Sequence, residues 1–188
     1  LDDGITRALY RQDVFGKSPL QTVNLILEGG SIEVDGSGTL LTTERCLLAP
    51  TRNSGVSRVQ IEKKLSELLG LNRFLWLKHG YLAGDDTDSH IDTLARLCDA
   101  RTIAHVVWDD PADEHYGELK AMEAELKNFS AADGRPYRLV PLPWPQPKYD
   151  DEGGRMPATY ANFLIINGAV LVPTYRDAAD PVALERLK

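Results

Sequence analysis

Cysteine is scarce in this chain: there are two, Cys46 and Cys98, and no C-x-x-C pair. That excludes a disulfide framework and leaves two reduced, semi-buried thiols in a cytosolic protein as the plain reading. Long apolar runs are missing. The longest are a few residues, as in Leu25–Leu27 and Phe163–Ile166, so nothing spans a membrane. A basic excess is missing too. Lys plus Arg is 21 against 28 Asp plus Glu, a net charge of −7, which argues against nucleic acid or anionic lipid as the main partner. The start, Leu1-Asp2-Asp3-Gly4, is acidic rather than basic then apolar, so no signal peptide is read there. It also lacks Met, a first hint of a piece of something larger. What is present is ordinary for a packed domain: 43% hydrophobic and 26% charged residues over 188 positions. That length allows one domain, or at most two small ones.

Turn and capping signals divide the chain. Thr22–Leu27 is predicted as a strand ending at Glu28-Gly29-Gly30. A hairpin follows, Ser31–Val34 and Thr39–Thr43, turned by Asp35-Gly36-Ser37-Gly38. Pro50 to Gly55 reads as loop. Ser57 and Gln60 form a capping-box pattern ahead of a helix over Arg58–Leu69, stopped by Gly70. Arg73–Leu77 is a strand. The pattern recurs with strands at Ile91–Leu97 and Thr102–Trp108, a helix over Glu118–Phe129, and a strand at Tyr137–Leu142. Pro141 to Pro147 is the best place for a linker. It begins once more with Tyr160–Ile166, the turn Asn167-Gly168, the returning arm Ala169–Pro173, and a helix opened by Asp180-Pro181. Three units of strand, strand, helix, strand result, headed by Glu28, His90 and Tyr160 at intervals of roughly 60 to 70 residues. The third helix has no strand after it, and Thr6 to Val14 is an incomplete segment before the first unit, so both ends are expected to be truncated. The plainer alternative is a complete protein ending on a helix.

Several apparent motifs fail. Gly16-Lys17-Ser18 lacks the upstream Gly of a phosphate-binding loop, and Gly36-x-Gly38 sits in a hairpin turn. Asp86-Thr87-Asp88 begins like a calcium loop but has Leu97 where the terminal Glu belongs. Three features survive. Glu28-Gly29-Gly30 puts a carboxylate at a strand end with glycine backbone behind it; read alone, a surface Glu before a turn is the simpler account. Gly84 to Asp92 packs Asp85, Asp86, Asp88, Asp92 and His90 into one short segment. In a strand, His90 and Asp92 share a face, a plausible acid–base and cation-holding pair. A metal site and a solvated acidic turn are the alternatives. Tyr160-Ala161-Asn162-Phe163 offers Asn162 to a pocket, although core packing explains Tyr160 and Phe163 equally well. His79, His105 and His115 are isolated and read as structural or solvent-facing.

Together these segments resemble the agmatine deiminase family, the branch of guanidine-modifying enzymes related to bacterial peptidylarginine deiminases. The resemblance rests on Leu27-Glu28-Gly29-Gly30-Ser31, Thr39–Thr43, Gly84 to Asp92, Trp108-Asp109-Asp110-Pro111, and Tyr160-Ala161-Asn162-Phe163 through Asn167–Pro173. Ser89 stands where the family more often has Gly.

The resemblance implies an α/β fold, a pentein-type α/β-propeller of five strand–strand–helix–strand units. About three would be present here, in one partial domain with units near 20–78, 84–143 and an incomplete 156–188. It implies hydrolytic loss of ammonia from a guanidinium group, with no cofactor and no metal. By position, Glu28 supports the His, His90 is the general acid and base, and Asp92 binds the guanidinium. Asp86 lies toward the substrate's distal amine. The family's nucleophilic cysteine belongs to a C-terminal segment with no counterpart here, and a further substrate-binding Asp lies upstream of Leu1. Neither Cys46, placed in the strand after the first hairpin, nor Cys98 matches the nucleophile motif. The chain alone is therefore expected to be inactive. The implied protein is a cytoplasmic agmatine deiminase of putrescine synthesis. Alternatives are an arginine or peptidyl-arginine deiminase, or a non-catalytic guanidinium-binding module. Unpaired faces at the truncated ends are expected to promote self-association, which leaves a homo-oligomer open.

Overall fold

A computed structural model describes residues 4–188; the first three residues of the acidic start lie outside them. The described residues hold four small sheets. The first joins β1 (Glu33–Val34), β2 (Thr39–Thr43) and β3 (Arg73–Leu77). β1 runs antiparallel to β2, and β3 parallel to it, from Thr39 opposite Arg73 to Thr43 opposite Leu77. The second sheet repeats this topology with β4 (Ala95–Asp99), β5 (Thr102–Val106) and β6 (Arg138–Leu142): β4 is antiparallel to β5, and β6 parallel. In each case a helix makes the crossover, as a parallel pair requires.

The connecting helices form for reasons visible in their residues. In α4 (Arg58–Leu69), Ser57 accepts from the Gln60 backbone and the Gln60 side chain accepts in return from the Ser57 N–H. Ile61 and Leu65, four apart, fall on the buried face. Gly70 ends the helix in the left-handed conformation at φ +69°. In α5 (Tyr116–Asn128) the buried stripe is Leu119, Met122 and Leu126.

Every residue of β2 is buried, because the strand is covered on both faces. Leu40 packs with Leu47, Ile61, Leu65 and Trp76 under α4. Its neighbour Leu41 points the other way, into the larger cluster with Leu75, Leu94, Ile103, Met122, Tyr160 and Phe163. The alternation of one strand thus joins two cores, and the larger core unites all three segments of the chain.

The structure departs from the sequence expectations at several places. Thr22–Leu27 forms no strand: it bends at Asn24, where Leu25 N–H donates to Val23 C=O, and the Asn53 side chain takes the place of a neighbour, accepting from Ile26 N–H and donating to Ile26 C=O, both at 3.0 Å. Ile91–Leu97 divides into a single 3₁₀ turn at Ile91–Thr93 and β4, so His90 and Asp92 do not share a strand. The loop at 50–55 contains α3 (Pro50–Asn53), and Cys46 lies on α2 (Glu44–Leu47) rather than in a strand. Finally, the segment read as a linker is not one. Trp144 is buried in the main core, and residues 148–149 pair with 155–156 as β7 (Lys148–Tyr149) and β8 (Arg155–Met156). The predicted strand Tyr160–Ile166 shortens to β9 (Leu164–Ile166), which pairs with β10 (Ala169–Leu171) ahead of α6 (Asp180–Arg186). Helix α1 (Ile5–Arg11) occupies part of the incomplete first segment.

Candidate functional site

The site begins where the Thr22–Leu27 segment ends. Asn53 fixes residue 26, and two residues later Glu28 turns into a short 3₁₀ turn at Gly29–Ser31. The Ser31 hydroxyl donates to Glu28 C=O at 2.6 Å, and Ser31 C=O accepts from Thr42 on β2 at 2.7 Å. Glu28 is thereby tied to the central strand of the first sheet.

Facing it is the loop from Gly84 to His90. Asp85 organises this loop by accepting from the backbone of Thr87 at 2.9 Å and of Ser89 at 2.8 Å. Thr43, at the end of β2, donates to Ser89 C=O at 2.8 Å. Asp88 and Ser89 adopt positive φ, 59° and 63°, conformations that Asp tolerates better than Ser. Glycine at position 89 would take the same turn without strain. At its other end the loop rests on β8: a side chain at Gly84 would collide with the Arg155 backbone carbonyl.

Glu28 and His90, 62 residues apart, meet here: His90 Nε2 lies 2.7 Å from Glu28 Oε2. Asp92 comes to the same side by a different route from the expected strand alternation. A Cβ at Gly30 would stand 2.5 Å from His90 Nδ1 and 2.8 Å from Asp92 Oδ2. Both groups therefore close over the bare Gly30 backbone, and any larger residue there would displace them. Asp92 is half-buried, and its Oδ1 has no hydrogen-bond partner. Burial pushes its carboxyl up, with the charges of His90 and Arg96 pulling the other way. An unpartnered carboxylate oxygen beside an imidazole is suited to a cationic ligand that donates hydrogen bonds.

Asp86 is exposed on the loop, outside the hydrogen bonds that organise it. Tyr160 lies in the core, where its hydroxyl donates to Asp180 at 2.6 Å, while Asn162 is exposed. The other histidines lie elsewhere. His79 pairs with Glu125 at 2.9 Å, and His105 is buried on β5. His115 is buried against Tyr81 and Trp144, between Asp113 and the Ala83 N–H.

Sequence reasoning missed Arg52. Its Nε donates to Glu28 Oε2 at 2.8 Å, Nη1 to Asp88 at 2.5 Å, and Nη2 to Thr87 C=O at 3.0 Å. The only signal was a lone arginine in a supposed loop near an acid-rich segment in need of a counter-ion. Burial pushes Glu28 up, but the hydrogen bonds from His90 and Arg52 outweigh it and hold the carboxylate below its ordinary range.

Glu28, Cys46 and His90 are close enough to share a metal ion. Arg52 and His90 both already meet Glu28 Oε2, and burial pushes the Cys46 thiol up to about 12, so it is not the thiolate a metal prefers. The same protonated state fits neither sulfur to a nucleophile's role, since burial raises Cys98 on β4 as well.

The model of the Porphyromonas-type peptidyl-arginine deiminase family matches residues 1–188. Agmatine deiminase of Pseudomonas syringae pv. tomato is 36% identical over 184 residues, which cover 89% of this chain and 50% of that protein. The structure of C. jejuni agmatine deiminase, a cysteine-to-serine variant with substrate bound, superposes with a TM-score of 0.90 at 45% identity, covering 100% of this chain and 54% of that one. Agmatine deiminase of Enterococcus faecalis gives 0.81 at 31% identity, covering 97% and 53%. The chain thus spans about half the length of the relatives it matches. Its α/β fold is the pentein-type fold of these deiminases.

Proposed function

The chain belongs to the Porphyromonas-type peptidyl-arginine deiminase family, and on that premise we propose that it is the part of an agmatine deiminase that carries the proton-transfer and guanidinium-holding groups. The reaction is the hydrolysis of agmatine to N-carbamoylputrescine and ammonia, a step toward putrescine. The observation that carries this reading is the convergence of Glu28, His90 and Asp92 over Gly30.

A guanidinium is planar, cationic and resonance-stabilised, so it must be fixed before its carbon can be attacked. Asp92 Oδ1 supplies an unpartnered acceptor for one edge. A cysteine thiolate in the part of the protein outside this chain attacks the carbon. His90 protonates the departing nitrogen, which leaves as neutral ammonia. His90 then takes one proton from water as the water attacks the thiouronium carbon; the tetrahedral adduct expels the thiolate and its hydroxyl proton passes to bulk water, leaving the neutral ureido group. Glu28, kept ionised, accepts from His90 Nε2–H. That hydrogen bond fixes the tautomer and leaves Nδ1, on the Gly30 side, as the nitrogen that moves the proton. Asp86, exposed at the loop tip, meets the distal amine of agmatine, where an arginine substrate would bring a carboxylate instead.

We place the enzyme in the cytoplasm. Both cysteines are free thiols, and no helix among the described residues is long and apolar enough to cross a membrane. The full domain is a five-unit ring, with exposed apolar residues on β9 and β10 (Leu164, Ile165, Leu171) covered by further units. This chain alone turns over nothing.

The test is ammonia release by the full-length protein from agmatine, arginine and a peptidyl-arginine in parallel. Release from agmatine above the others supports the reading; preference for either alternative replaces it with another deiminase of the same family.

A further inference from the structure

Arg52 carries an inference that deepens the proposed function and rests on it. All three guanidinium nitrogens are used, each on a different group: Glu28, Asp88 and the Thr87 carbonyl. Its side chain is only 11% exposed. Its neighbour Asn53 holds the backbone at Ile26. One short helix, α3, therefore grips the Glu28 segment with three hydrogen bonds and the His90 loop with two. The loop needs that grip, because Asp88 and Ser89 sit at positive φ just before His90.

We propose that Arg52 is a positioning residue: it clamps the loop that carries His90 to the carboxylate of Glu28 and so holds the imidazole in the orientation and tautomer that proton transfer requires. Arg52 Nε and His90 Nε2 meet the same Glu28 oxygen, at 2.8 and 2.7 Å. The carboxylate beneath a fixed cation stays an acceptor, so it takes the Nε2 proton and leaves Nδ1 free beside Asp92. Lysine cannot replace this arrangement. It brings a charge but not three donors in a planar fork.

The test uses the full-length protein with Arg52→Met and Arg52→Lys, read three ways. Steady-state kinetics on agmatine should show kcat falling ~10²-fold in Arg52→Met with KM changed far less, as misplacement of a reacting group by about 1 Å does. Nitrogen shifts of the His90 ring should show the Nε2–H tautomer losing population in Arg52→Met. Arg52→Lys should restore neither that tautomer nor kcat. Hydrogen exchange over residues 85–90 should quicken in both variants. Unchanged kcat and an unchanged His90 tautomer in Arg52→Met would overturn the proposal. So would a loss of kcat that Arg52→Lys fully restores, since charge alone would then suffice. If Arg52→Met does not fold, Arg52→Lys with Asp88→Asn decides by the same readouts. A wild-type protein inert on agmatine sinks the functional reading instead, and the tautomer and exchange still test the clamp.

Discussion

His90 Nε2 lies 2.7 Å from Glu28 Oε2, across 62 residues of sequence. Glu28→Gln keeps the shape but removes the ionised acceptor. In the full-length protein kcat on agmatine should fall by about 10² or more, the usual reach of general acid–base catalysis. The pH dependence of stability has a definite sign. Glu28 is held below its ordinary range in the folded state, so its contribution is present at neutral pH and lost as pH falls through that lowered value. The gap between wild type and Glu28→Gln in urea midpoint should therefore narrow below about pH 4.

Asp92→Asn leaves the volume unchanged and removes the charge proposed to meet the guanidinium. Agmatine affinity should weaken by about 10- to 100-fold, the range of one hydrogen bond to a charged group. Calorimetry on the full-length protein checks it, and unaltered affinity would place the guanidinium elsewhere.

Arg96 ties the three segments together. It pairs with buried Glu33 on β1 at 2.8 Å and donates to Phe163 C=O at 2.5 Å, while Glu33 also accepts from Leu97 N–H at 3.0 Å. Arg96→Met strands the carboxylate and should cost about 3 kcal/mol; Glu33→Gln should cost less. Burial raises Glu33 despite Arg96, so the folded state holds its proton more tightly than the unfolded chain. Wild-type stability relative to Glu33→Gln should fall as pH rises from the ordinary carboxylate value through the raised one. Urea unfolding across pH measures both.

Much of this was legible in the sequence, and the failures have physical causes. The capping box at Ser57 and Gln60, the Gly70 stop and the strand Arg73–Leu77 were read as they stand. These are local signals, each satisfied within a few residues. The strand at Thr22–Leu27 failed because a strand needs a neighbour, and here a side chain, Asn53, takes that part. His90 and Asp92 were expected on one strand face. They converge because a 3₁₀ turn folds them over Gly30, a contact from the first unit that no local pattern encodes. Arg52 went unread for the same reason, with its partners 24 and 36 residues away.

Ser57→Ala should cost about 1 kcal/mol in chemical unfolding, and Ser57→Asp close to nothing, since Asp caps as well as Ser. A loss equal in both would mean that the hydroxyl's role is not capping.

Cys46 offers a direct check on which thiol reacts. Its pKa is pushed up to about 12 by burial, so iodoacetamide at pH 8 should leave it unmodified in the folded chain and label it in urea. Mass spectrometry of the tryptic peptide reads the difference. Rapid folded-state labelling would make Cys46 a nucleophile in its own right.

The most direct test is ammonia release from agmatine by the full-length protein, beside the same protein carrying His90→Asn. The account predicts N-carbamoylputrescine and ammonia in equal amounts from the wild type, blocked by thiol alkylation, and turnover lower by about 10² or more in the variant. Agmatine bound without ammonia release, or a His90→Asn protein as active as wild type, would contradict it.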